Sequence, residues 1–257
     1  MPSTSGARMG NLLETTGDLR AVFDSLKGSK DALARNVAYR AWTACFPTFI
    51  SPQGQPVSLD RILKAMPASG VDNVARSAAY RSLHQRCEGF FNMSREETIR
   101  TTHQQQDAWN KGDALAPGEL ALKLLREGDA ERAFALARSV VASRDVYAIA
   151  SLQEFIHLQL VLQRDAQVLR SAERADLRPL AYAIAACQLG LECGQDSLTA
   201  LRLCANGGQC EGTVIDRFLQ TLPNATDRET VMLESQRIAN AIRSGNTQAL
   251  GLHPPPG

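Results

Sequence analysis

The residues whose types and spacing point to chemistry are the six cysteines. Four of them form two copies of one pattern, Cys187-Gln-Leu-Gly190-Leu-Glu-Cys193 and Cys204-Ala-Asn-Gly207-Gly-Gln-Cys210. Thiols so spaced can close disulfides, bind a metal or stay buried and free. Structural zinc sites use about two to four residues between paired cysteines. The wider spacing here favours disulfides. Each copy follows an apolar helical run, Leu180-Ala-Tyr-Ala-Ile-Ala-Ala or Leu198-Thr-Ala-Leu-Arg-Leu. Gly190 and Gly207 each stand three residues past a cysteine, where a helix commonly stops. Gly takes the left-handed conformation there without a Cβ clash. The chain then turns back, and a reversal can bring two Cα atoms to the roughly 4.4–6.8 Å that a disulfide needs. The crossed pairing, Cys187 with Cys204 and Cys193 with Cys210, stays open, because four cysteines allow about three connectivities. Cys45 and Cys87 end two predicted helices and are expected to pair. Closing a loop of about forty residues would stabilise by about 4 kcal/mol in the chain-entropy account.

Other candidates for chemistry are thin. Glu154-Phe-Ile-His157 is an E-x-x-H pair on a predicted helix. Di-iron bundles need two such motifs and two further Glu. There is no second copy, so the pair reads as a partly buried polar contact. His84 and His103 lie on separate helices and read as surface residues. Glu96 and Glu97 fall in a helix's first turn, where the macrodipole favours them. The G-x-S-x-G, P-loop, G-x-G-x-x-G and H-E-x-x-H patterns are absent from the sequence. No catalytic, cofactor-binding or metal residue is therefore assigned. A hydrolase cleft built from distant carboxylates remains the enzymatic alternative.

Composition narrows the class. The 257 residues are enough for one large domain or two small ones. Hydrophobic residues make up 44% but aromatics only 5%, and Ala and Leu abound, which favours close-packed helices over a β-sandwich. The net charge of +1 gives no electrostatic reason to expect nucleic acid or an anionic membrane as partner. No apolar run reaches the roughly eighteen residues of a membrane span. An even number of cysteines argues for an oxidising compartment. The start, Met1-Pro-Ser-Thr-Ser-Gly-Ala-Arg, lacks the apolar stretch of a signal peptide. The two facts agree if an export signal has been removed and Met1 is not native. The alternative is a cytoplasmic protein with six thiols.

The elements that must position these residues are read from caps and periodicity. Residues 1–11 are small and polar and are expected to be disordered. Asp18 caps a helix over Leu19–Leu26. Ser29 or Asp31 starts one that ends at Cys45. Ser58 caps Leu59–Met66. A helix over 71–87 turns Val71, Val74, Ala78 and Leu83 inward. Ser94-Arg-Glu-Glu97 predicts a reciprocal capping box. Gly112–Pro117 is a loop and the expected border between an N-terminal helical region, 12–111, and a C-terminal one, 112–252. Beyond it come short helices over Glu119–Arg126, Ala130–Ala142, Val146–Leu162, Ala166–Ala175, Leu177–Leu189, Ser197–Leu203 and Thr213–Leu222. A box at Thr226-Asp-Arg-Glu229 opens the last helix, to Arg243. Residues 253–257 form a tail.

Two resemblances accompany this pattern. Leu120-Ala-Leu-Lys-Leu-Leu-Arg-Glu-Gly-Asp-Ala-Glu-Arg-Ala-Phe-Ala-Leu-Ala resembles the helical hairpins of tetratricopeptide-type repeats over residues 117–220. The strict period and the repeat family's Trp and Tyr positions are not matched. The doubled cysteine unit from Leu180 to Arg217 looks like a group of exported Gram-negative proteins. That resemblance implies an all-helical envelope protein and transfers no catalytic residue.

The expected fold is thus all-α: stacked antiparallel helical hairpins in a repeat-like solenoid, reinforced by disulfides. The expected function is non-enzymatic protein binding in the bacterial envelope, as an immunity protein or an assembly accessory factor. A secreted effector is the other alternative. Phe46, Phe49, Phe90 and Phe91 are the candidate exposed contact for the partner. The competing reading is an internal aromatic cluster beside a disulfide.

Overall fold

The helices begin where short polar side chains can hold the first turn's free amides. Asp18 accepts from the Ala21 amide, Asp31 from Leu33, Ser94 from Glu97, Ser197 from Ala200 and Asn224 from Asp227. A computed structural model describes residues 4–66, 72–165 and 177–254. Among these, the chain forms α1 Thr4–Thr15, α2 Leu19–Leu26, α3 Ala32–Cys45, α4 Leu59–Lys64, α5 Asn73–Cys87, α6 Arg95–Lys111, α7 Pro117–Arg126, α8 Ala130–Ser143 and α9 Val146–Ala150. It continues with α10 Gln153–Asp165, α11 Arg178–Gln188, α12 Leu198–Gly207, α13 Val214–Gln220 and α14 Ala225–Ser244. The described residues form no strand; Ile50 and Pro56 make an isolated bridge. The fold is all-α and disulfide-bonded.

The chain divides into two compact bodies. The N-terminal body holds Met9–Ala114 together with Glu192–Thr221. Its centre is aromatic: Phe23, Trp42 and Phe90 are buried, with centroids of Phe23 and Phe90 5.6 Å apart and of Trp42 and Phe90 5.4 Å apart. Cys45 and Cys87 join the ends of α3 and α5 beside it through a disulfide with Cα atoms 5.6 Å apart. The late segment is fastened to the early one through main-chain carbonyls. Arg76 on α5 donates to Ala205 O from Nε and Nη2 at 3.2 and 3.1 Å. Arg86 donates to Glu14 O at 3.0 Å and to Asp196 O at 2.6 Å. Helix α12 lies against α5.

The C-terminal body holds Met1–Arg8, Leu115–Leu191 and Leu222–Gly257. α7 and α8 pack as a hairpin turned at Gly128, whose φ of +85° suits the residue without a Cβ. Gly118 sits so close to Ser151 that its amide donates to Ser151 Oγ at 2.9 Å. Phe134 and Phe155 meet edge to face at 5.2 Å. α11 packs against α9, α10 and, over its length, α14.

Several expectations need correction. Residues 4–11 are helical, where disorder was expected, and the helix runs on to Leu13 and Glu14, both buried. α5 starts at Asn73, and Val74 is 88% exposed while Ala78 is exposed as well. Its buried face is Ala79, Leu83 and Cys87, one helical repeat apart. Val71 lies outside the described residues, as does the helix expected over 166–175. The helix expected over Val146–Leu162 is two, broken at Ser151 and Leu152. Glu97 does not close its capping box; its carboxylate takes Arg20 Nη2 at 3.0 Å instead. The last helix is capped by Asn224, two residues before the expected Thr226. In the second cysteine unit Gly207 ends the helix and Gly208, at φ +79°, carries the left-handed turn.

Candidate functional site

The most organised polar site in the C-terminal body surrounds the segment that follows α14. α14 stops at Gly245 in the left-handed conformation. The chain turns back as a short 3-10 helix over Thr247–Leu250 and lies against α14 and α8. From there four successive carbonyls each accept a hydrogen bond from a different side chain. Arg237 Nη1 donates to Ala249 O at 2.8 Å, Arg178 Nη2 donates to Leu250 O, Gln159 Nε2 to Gly251 O at 3.0 Å and Arg138 Nη1 to Leu252 O at 2.9 Å. Leu250 and Leu252 are buried, at 0% and 3% exposure, with Gly251 between them.

The four donors come from four helices: Arg138 from α8, Gln159 from α10, Arg178 from α11 and Arg237 from α14. Glu234 sets two of them. It takes Arg237 Nε and Nη2 at 2.6 Å each and stands 3.4 Å from Arg178 Nε. This fork-on-carboxylate geometry fixes the arginine planes. The carboxylate holds the Arg237 guanidinium above its ordinary pKa. Beneath Arg178, Tyr182 is fully buried and its hydroxyl makes no well-formed hydrogen bond. Burial, the main cause, pushes the phenol up to about 12, against the lowering effect of Arg178. Gln159, 2% exposed, is an amide buried among Phe155, Ile156 and Leu160 of its own helix. A buried amide needs a partner, and the Gly251 carbonyl is that partner. The arrangement reads main chain rather than side chains, with two Leu residues filling apolar space between polar donors.

The N-terminal body carries two polar features. Glu14 is buried, and its carboxylate accepts from the Thr199 amide and hydroxyl at 2.8 Å each. Burial raises its pKa more than these bonds and the charges of Arg202 and Arg86 lower it. A cleft of about 330 Å³ is lined by Phe23, Lys27, Glu97, Arg100, Thr101 and Gln104. Its one carboxylate, Glu97, is paired with Arg20, so it does not bring two carboxylates together as a glycosidase does.

The residues singled out from sequence fall as follows. Phe49 and Phe90 are 1% exposed and cannot serve as an exposed contact; they belong to the core. Phe46 is half-buried and stacks on Trp42 at 5.3 Å. Phe91 is half-buried against His84, at 4.7 Å. Phe46 and Phe90 meet on Trp42, and Phe49 and Phe91 meet on His84, so the four belong to two aromatic groups. His84 faces Phe49 at 5.7 Å, while His103 is exposed. Glu154 and His157 are both exposed, not partly buried, because α10 turns Phe155, Ile156 and Gln159 inward instead. No cysteine is free. Cys204 and Cys210 are bonded, which rules out the crossed pairing, and Cys187 and Cys193 are disulfide-bonded too. Among the described residues no group of three or more His, Cys, Asp or Glu is placed to hold a metal, and no helix is long and apolar enough to cross a membrane.

The carbonyl-reading residues escaped the sequence reading. Their numbers span a hundred positions and no spacing links them. The lone amide Gln159 on an otherwise apolar face was the one available signal. Compared with protein-family models, curated proteins and solved structures, the chain gives no match.

Proposed function

We propose that this chain is a non-enzymatic protein-binding protein of the bacterial envelope, of the immunity or assembly-accessory kind. The observation that carries the reading is the hold on Ala249–Leu252: side chains from four helices grip four consecutive main-chain carbonyls. Gripping a polypeptide by its backbone while burying alternate side chains is how peptide-binding domains work. In this reading the α7–α8 hairpin and its neighbours act as repeat-like units that present the binding surface. The absence of any free cysteine supports an oxidising address, since reduced thiols are the rule in the cytosol.

The test is capture by the immobilised, oxidised chain from envelope extract, followed by purification of the captured protein and reconstitution. The expected result is a complex of fixed stoichiometry that survives gel filtration. A toxic enzyme silenced on reconstitution would assign the immunity role. Traces of many proteins with none forming a stable complex would overturn the reading, as would turnover of a substrate by the chain alone.

A further inference from the structure

The C-terminal segment is bound as a ligand is bound. Its backbone is read at four successive carbonyls, and every donor lies outside the segment. Its sequence in the site is Ala249-Leu-Gly-Leu252, two buried Leu residues spaced by the smallest residue. Gly245 and Asn246 join it to α14. Carbonyl recognition is indifferent to side chains, so specificity falls to the two Leu positions. Removing the segment would strand Gln159, which is buried, and leave Arg178 and Arg237 gathered on Glu234 with no acceptor above them.

We propose that this site is a peptide-binding groove for a partner segment of the form Leu-small-Leu that takes the same short 3-10 turn, and that Thr247–Leu252 occupies it as a tethered stand-in. The proposal rests on the protein-binding reading and names its partner chemistry. A tethered segment competes at an effective concentration on the order of millimolar. A partner therefore enters when it offers the same bonds plus contacts beyond them. Gly251 stands at φ +62°, a left-handed conformation that favours glycine between the two Leu positions.

The experiment uses the full oxidised chain with a site for a sequence-specific protease inserted between Gly245 and Asn246. After cutting, a fluorescent peptide spanning Asn246–Pro254 is added and followed by anisotropy. The expected result is uptake in exchange for the native segment, with affinity lowered roughly thirty-fold or more when the peptide carries Leu250→Asp and Leu252→Asp, the scale of losing buried anchors. A second arm needs no cut: the full chain with Leu250→Asp and Leu252→Asp should take up the wild-type peptide, and the unaltered chain should take up far less. Helical circular dichroism is recorded for each sample. No uptake in either arm, or uptake indifferent to the Leu residues, overturns the groove. The capture experiment above is read independently, so a failed exchange with a stable captured complex would reject this site and leave the binding reading standing.

Discussion

The carboxylate of Glu14 takes both of its hydrogen bonds from Thr199, amide and hydroxyl at 2.8 Å each, across 185 positions of sequence. The contact ties α1 to the first turn of α12 within the N-terminal body. It also buries an acid, and burial outweighs the two bonds and the nearby Arg202 and Arg86 in setting its proton affinity above the ordinary 4.5.

The pH dependence follows with a definite sign. Above pH 4.5 the unfolded chain has released this proton while the native chain still holds it. The native state binds more protons, so stability falls as pH rises from 4.5 through the raised native pKa. Glu14→Gln removes that slope and keeps the acceptor for Thr199. Urea midpoints measured every half unit from pH 4.5 to 8 should converge on a flatter profile in the variant. Asp24 and Asp216 have lowered pKa values and contribute the opposite slope, but only below their ordinary 3.8, outside this window. An unchanged slope would mean that Glu14 titrates normally in the folded chain.

Arg217 offers a sharper loss. Its guanidinium is 5% exposed and donates to three carbonyls of the late segment: Gly212 O at 3.1 Å, Gln195 O at 3.1 Å and Ala200 O. Burial lowers its pKa against the weak pull of Asp196. Arg217→Ala removes three hydrogen bonds from a charged, buried donor, two of them to carbonyls of the exposed residues Gly212 and Gln195 that water can satisfy. The expected destabilisation is about 1.5–3 kcal/mol by urea denaturation. Arg217→Lys should recover less than half, since one ammonium cannot span the fork.

The disulfides differ in reach and should differ in worth. Cys45–Cys87 closes 42 positions and Cys204–Cys210 closes 6. In the chain-entropy account the first contributes about 4 kcal/mol and the second about 2 kcal/mol. Paired substitution, Cys45→Ala with Cys87→Ala against Cys204→Ser with Cys210→Ser, should show that order in denaturant midpoints. Equal losses would mean that local packing, and not loop closure, sets the contribution.

Local features were legible in the sequence and distant ones were not. Asp18, Asp31, Ser58 and Ser197 announce their helices because a cap acts within three residues. The Cys45–Cys87 link was legible because both residues end helices. Burial was misread at α5, where Val74 points outward: a weakly amphipathic helix does not reveal which face meets its neighbours. Placement of Glu192–Thr221 with the first hundred residues rests on Arg76, Arg86 and Glu14, whose partners lie 110 to 185 positions away. Polar contacts at such separations leave no periodicity. The four carbonyl readers around Ala249–Leu252 were hidden for the same reason, since what they bind is backbone and carries no residue signature.

Gly118 falls between the loop expected to end at Pro117 and the helix expected from Glu119, and the structure gives it a role of its own. It lies in the first turn of α7, where helix propensity alone favours Ala by about 1 kcal/mol. A Cβ at this position, however, would fall 2.5 Å from the Ser151 carbonyl carbon and oxygen and 2.4 Å from its hydroxyl. The hydroxyl can rotate away; the backbone cannot without moving the α9–α10 junction. Forced overpacking costs about 1–3 kcal/mol, and loss of the Gly118 amide bond to Ser151 adds about 1 kcal/mol. The clash therefore outweighs the propensity gain, and Gly118→Ala should destabilise the C-terminal body by about 1–3 kcal/mol. Ser151→Gly removes the hydroxyl but not the backbone obstacle, so adding it should restore little. Thermal unfolding of the two variants and the double variant decides the matter: a Gly118→Ala chain as stable as the parent would mean that α7 stands farther from Ser151 than the structure has it.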